Sequence, residues 1–81
     1  MSSIDATVVQ LDLCGLRCPL PLLRLKMQLA QLPAGQRLQV RCTDPGAAQD
    51  IPRFLQQAGH ELIAQTSVDG ILGFDLRKRK D

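Results

Sequence analysis

The sequence predicts an α+β fold: a two-layer sandwich in the order βαβαββ, with two helices packed on one face of a four-stranded mixed sheet. Three observations carry this. Short stretches alternate apolar and polar residues at a period of two, as half-buried strands do. Between them, two stretches place apolar residues at i, i+3, i+4 and i+7, the stripe of a helix lying on a core. An Asp-Gly pair then joins the last two strands as a hairpin. Eighty-one residues suffice for one small domain, residues 1–81, with its core over residues 7–77. At 44% hydrophobic and 22% charged residues, the chain has the balance of a globular protein rather than a disordered one.

The first strand is read over Thr7–Leu13, where β-branched residues alternate with polar ones. A first helix is expected from Pro19 to Leu32. Leu22, Leu25, Leu29 and Leu32 form its stripe, widened by Leu23, Met27 and Ala30, with Arg24, Gln28 and Gln31 facing water. Pro33-Ala34-Gly35 ends it. Arg37–Cys42 is the second strand, with Leu38, Val40 and Cys42 inward, and Thr43-Asp44-Pro45-Gly46 is a turn that offers Asp44 as a cap. The second helix is expected to start at Asp50 as N-cap, because Pro52 fits only a first turn, and to stop at Gly59. Its stripe is Ile51, Phe54, Leu55 and Ala58. Glu61–Thr66 and Ile71–Arg77 flank the Asp69-Gly70 turn, with Leu72, Phe74 and Leu76 inward.

Composition also narrows the function. Phe54 and Phe74 are the only aromatics, so the core is aliphatic and stacking on bases has no side chains to use; direct nucleic-acid binding is not expected. The net charge of +2 is no polycation, yet Arg77-Lys78-Arg79-Lys80 concentrates charge in a basic tail, residues 77–81. That tail reads as a solvated end, or as a docking patch for an acidic protein or for RNA phosphates. Met1-Ser2-Ser3-Ile4-Asp5 has neither the basic nor the apolar region of a secretion signal. No run approaches the ~18 apolar residues of a membrane span. With three cysteines, an odd number, the expected setting is the reducing cytoplasm.

The chemistry concentrates in Cys14-Gly15-Leu16-Arg17-Cys18-Pro19-Leu20-Pro21. Cys18 falls at the start of the first helix, as its N-cap, with Pro19 at N1 and Pro21 at N3, where missing N–H groups cost nothing. The helix dipole and Arg17 beside it favour a thiolate, the nucleophilic form of cysteine. An inert buried cysteine is the plainer reading, and a polar loop-to-helix junction argues against it. Cys14 is too far along the chain from Cys18 for a thioredoxin-type pair, though it could close a labile disulfide. Cys14, Cys18, Cys42 and His60 could be imagined as a zinc site, but Cys42 points inward and no tight ligand pair exists, so no metal is expected. His60, after a helix end, reads as a structural histidine, and Asp12 as a structural acceptor near the loop. No Ser/His/Asp set, paired-carboxylate site or phosphate-cradling loop is present.

These residues resemble a known family. Leu11-Asp12, Gly15-Leu16-Arg17-Cys18-Pro19-x-Pro21, Thr43-Asp44-Pro45-Gly46, Asp50-Ile51-Pro52 and Gly59-His60 are similar, in order, to the segments of the TusA-like (SirA-like) sulfur-carrier family with its Cys-Pro-x-Pro motif. The resemblance covers residues 7 to 77. It implies a βαβαββ sandwich and a Cys18 that receives a sulfane sulfur, holds it as a persulfide and passes it to a partner protein. It implies no cofactor on this chain. The donor it implies is a cysteine desulfurase, and the downstream acceptor serves tRNA thiolation, molybdenum-cofactor enzymes or other sulfur metabolism. Leu20 stands where tRNA-pathway members usually carry Glu, and together with Leu16 it is expected to form part of the partner-docking surface. Cys14 is extra to the motif, either a secondary thiol that resolves a Cys18 persulfide or a small strand-end residue. Two other readings stay open: a non-catalytic regulatory or RNA-binding domain using the basic tail, and a thiol-disulfide redox protein using Cys14 and Cys18.

Overall fold

A computed structural model describes residues 8–80; Thr7, the residues before it and Asp81 lie outside the described residues. The elements are β1 (Val8–Leu13), α1 (Leu20–Gln31), β2 (Arg37–Cys42), α2 (Ala47–Ala58), β3 (Glu61–Val68) and β4 (Ile71–Arg77). They form one four-stranded sheet in the order β1-β2-β4-β3. β1 runs parallel to β2, whereas β4 is antiparallel to both its neighbours, which gives the mixed sheet expected. The β1–β2 register pairs Leu13 with Cys42, so both strands leave the sheet side by side. The loops that follow them are neighbours for that reason.

The inward residues of the strands are those the alternation predicts. Leu13, Leu38, Val40, Cys42, Leu72, Phe74 and Leu76 are buried against Leu25, Leu29, Ala47, Ile51 and Leu55 of the helices. Fully burying one such aliphatic side chain contributes about 1.5–3 kcal/mol. The core lies on one face of the sheet only, as the period-two pattern requires. Among the described residues no helix is long and apolar enough to cross a membrane.

Four details correct the sequence reading. First, α1 buries Leu25 and Leu29, but Leu23 and Met27 are exposed, at 47% and 61%, and Gln28 is half-buried. At about 100° per residue, Leu23 and Met27 fall on the side of the helix away from Leu25 and Leu29. The sheet covers only one side.

Second, α2 starts at Ala47 rather than after Asp50, with Pro52 inside it. Pro52 cannot donate to the carbonyl of Ala48. That oxygen instead accepts from Gln65 Nε2 at 3.2 Å, so β3 supplies the bond the proline removes. Third, β3 continues to Val68, with a bulge between Leu62 and Ala64.

Fourth, the basic end is tied to the helices through Lys78 and Arg79, while Arg79 and Lys80 stay exposed to solvent. Lys78 Nζ donates to the Leu32 carbonyl (2.6 Å), and Arg79 Nη1 to the Ala58 carbonyl (2.8 Å). Lys78 also exchanges backbone bonds with Gly35 and Gln36, and Arg77 sits 3.6 Å from Glu61. The last carbonyls of a helix lack intrahelical partners and favour cations. The segment therefore straps down the C-terminal ends of both helices.

Candidate active site

The candidate site is the loop between β1 and α1, held by the loop that follows β2. Three of its backbone N–H groups donate to side-chain oxygens: Cys14 to Asp12 Oδ1 (3.0 Å), Gly15 to Thr43 Oγ1 (2.8 Å) and Cys18 to Asp44 Oδ2 (3.0 Å). Gly15 takes φ +87°, a left-handed conformation that a side chain would strain. Leu20 N–H then closes a turn on the Arg17 carbonyl at 2.8 Å, with Cys18 and Pro19 at its corners and a cis peptide between them.

That turn moves the helix start. Leu23 N–H bonds the Pro19 carbonyl, making Pro19 the N-cap and Pro21 the N2 residue, one position later than the sequence suggests. Cys18 lies just outside the helix, with its thiol free and exposed. Both helices run antiparallel to the strand before them, so both N-terminal ends point to the Cys18 end of the molecule.

The other two thiols are placed differently. Cys14 is half-buried, and its thiol's hydrogen bond to the Asp12 carboxylate pushes its pKa up; the Cys14 backbone N–H, followed by that thiol, holds Asp12 below its ordinary value. Cys42 is fully buried, and desolvation raises its pKa. Both are poor sources of thiolate. Cys18 is the exposed thiol.

His60 lies at the far end of the helix layer. Its Nδ1 accepts the Arg79 N–H at 3.0 Å, and its ring packs 5.9 Å from that of Phe54. Burial, Arg79 and Lys78 push its pKa down. The four residues imagined as a zinc site are thus scattered over a loop, the core and a helix end. Among the described residues no group of three or more His, Cys, Asp or Glu is disposed to hold a metal ion.

Beside Cys18, an open hollow of about 480 Å³ is lined by Gly15, Leu16, Arg17, Thr43, Asp44 and Pro45. A crevice of about 40 Å³ runs between the helix starts, lined by Cys18, Pro21, Leu22, Ala47, Ile51 and Asp44. A water-sized group fits there; a metabolite does not. Leu20 stands 45% exposed beside it, and Leu16 is partly packed on the core. Sequence reasoning assigned neither Thr43 nor Asp44 to the loop. The parallel pairing of β1 with β2 was the signal, since it brings Thr43 and Asp44 against the loop after Leu13.

The family model "Sulfurtransferase TusA" matches residues 9–78. The chain belongs to the TusA family. It is 42% identical to the sulfur carrier protein TusA of Pseudomonas syringae over 79 residues, covering 98% of this chain and 90% of that one. It is also 42% identical to the TusA of Allochromatium vinosum over 69 residues, covering 85% and 91%. The putative sulfur carrier protein YrkI of Bacillus subtilis is 41% identical, covering 84% and 91%. A SirA-like protein from Desulfitobacterium hafniense superposes with a TM-score of 0.77 at 22% identity, covering 91% of this chain and 100% of that one. That last likeness is one of fold.

Proposed function

We propose that this TusA-family chain is a sulfur carrier that holds sulfane sulfur as a persulfide on Cys18. The single observation that supports this most is the exposed Cys18 thiol on a loop whose amides are tied down by Thr43 and Asp44, while Cys14 and Cys42 are half-buried and buried. The thiolate of Cys18 attacks the outer sulfur of a donor persulfide. One S–S bond forms, the donor's S–S bond breaks, and the donor sulfur leaves with the electron pair. The outer sulfur, now on Cys18, passes in the same way to an acceptor thiolate. No net oxidation occurs, so the exchange balances with two thiols and one transferred sulfur.

The start of α1 turns its positive end towards the sulfur, while the Asp44 and Asp50 carboxylates line the same crevice. The small crevice leaves the remainder of the reaction site to protein partners, a cysteine desulfurase as donor and a downstream acceptor, in the reducing cytoplasm. Leu16 and Leu20 lie where such a partner would touch. Incubation with a purified cysteine desulfurase, pyridoxal phosphate and cysteine should raise the intact mass by one sulfur, about 32 Da. The gain should vanish in Cys18→Ser and persist in Cys14→Ser. No gain, or a gain that follows Cys14, contradicts the proposal; a reversible Cys14–Cys18 disulfide without it would favour the redox reading.

A further inference from the structure

Sulfur exchange between two protein thiols makes no use of the open hollow next to Cys18. Its volume of about 480 Å³ lies within the ~300–1,000 Å³ of small-molecule sites. One residue joins it to the thiol. Asp44 lines both the hollow and the narrow crevice that holds Cys18, and it accepts the Cys18 N–H at 3.0 Å. Arg17 lines the hollow too, is exposed, and has no carboxylate partner among the described residues. The hollow therefore carries a cation and an anion that are not paired with each other. Asp44 accepts N–H groups from Cys18 and, at 3.4 Å, from Gly46; a carboxylate has about four acceptor positions, so two remain. Thr43 Oγ1 accepts the Gly15 N–H, which leaves its hydroxyl hydrogen free to donate. At Gly15 a Cβ would meet nothing within 4 Å, so that wall stands open.

We propose that the hollow binds a small persulfide bearing an α-amino carboxylate, as cysteine persulfide and glutathione persulfide do, and that Cys18 takes sulfur from it directly. The proposal rests on the carrier reading and names a substrate class for the same thiol. Arg17 receives the carboxylate with two parallel N–H donors, and the Thr43 hydroxyl adds a third. Asp44 receives the ammonium. A simple anion is opposed by Asp44 and a simple amine by Arg17, whereas a zwitterion satisfies both. Leu16 and Pro45 give the carbon stem an apolar wall. Beyond Asp44 the crevice admits a water-sized group, which suits the single sulfur to be moved. The Cys18 thiolate attacks the outer sulfur of R–S–SH. A new S–S bond forms, the old one breaks, the outer sulfur keeps its proton, and R–S⁻ leaves with the electron pair. Nothing is oxidised overall.

The test follows, by intact mass, the rate at which the chain gains about 32 Da from cysteine persulfide, from glutathione persulfide, and from the uncharged persulfide of N-acetylcysteine methyl ester. With wild type the rate should saturate for at least one zwitterionic persulfide, and whichever saturates at the lower concentration identifies the preferred one. The ester should give a rate that stays linear in concentration. Arg17→Gln should lower the ratio of zwitterion rate to ester rate about fivefold, and Arg17→Lys should recover part of it, because lysine keeps the charge but not the paired donors. Comparing rates as a ratio separates lost binding from any change in the thiol itself. Linear rates for both zwitterions overturn the proposal, and so does a ratio that Arg17→Gln leaves unchanged. Loading by a purified cysteine desulfurase without loading by either zwitterionic persulfide also overturns it and leaves the carrier reading standing. Failure of wild type to load from any of these donors would instead strike the carrier reading itself.

Discussion

The two ends of the helix layer are finished in opposite ways. At the N-terminal end, the chain before α1 is held by oxygens that reach its backbone from neighbouring strand ends, and a thiol is left in solvent. At the C-terminal end, Lys78 and Arg79 close on helix carbonyls and His60 accepts a backbone N–H. Neither helix has a side-chain N-cap of its own. Both ends are completed by residues from another part of the sequence. One end holds a loop with an exposed thiol, and the other ties the ends of the helices to the last strand.

Variants at each end should separate these tasks. The largest effect on stability is expected from K78A/R79A, which strips the strap from both helices. Each exposed charge–carbonyl bond contributes about 1 kcal/mol, so the double variant should lose about 2 kcal/mol in urea unfolding. Sulfur uptake by the folded protein should be unchanged. Asp44→Ala comes next. It leaves the Cys18 N–H without its acceptor and should cost about 1 kcal/mol. Unlike the strap variant, it should also slow sulfur uptake, by about tenfold, because the loop loses its anchor. Equal uptake in the two variants would remove the distinction between the ends.

A smaller effect concerns pH. His60 is held below its ordinary value of 6.5 by burial, Arg79 and Lys78. The unfolded chain therefore binds a proton on His60 at a higher pH than the native one does. Its contribution is complete above 6.5 and declines as pH falls from there to the lower native value. Urea unfolding of wild type against His60→Gln across pH 7 to 4 should show this slope in wild type only. In K78A/R79A the slope should shrink, since two of its causes are gone.

Most of the fold was legible because it depends on local period. The alternation in Arg37–Cys42 and Ile71–Arg77 places every inward residue correctly. What escaped depends on residues distant in sequence. Pro52 looked like a helix start because nothing nearby shows that Gln65 takes the carbonyl it frees. Leu23 and Met27 looked like core because an apolar residue at helical spacing does not reveal which side stays uncovered. The basic end looked solvated because its acceptors, Leu32 and Ala58, close only in three dimensions. At the candidate site, the exposure of Cys18 was legible from its place at a polar loop-to-helix junction. The anchoring by Thr43 and Asp44 depends on the β1–β2 pairing and became visible with the sheet.

The central claim is that Cys18 carries the sulfur. Its most direct test is peptide mapping of the sulfur-loaded protein after alkylation and trypsin digestion. Cleavage after Arg17 and Arg24 releases Cys18–Arg24 as one peptide, apart from Cys14 and Cys42. One extra sulfur is expected on that peptide and none on the other two cysteine peptides. Extra sulfur on the Cys14 peptide, with Cys18–Arg24 unmodified, would contradict it.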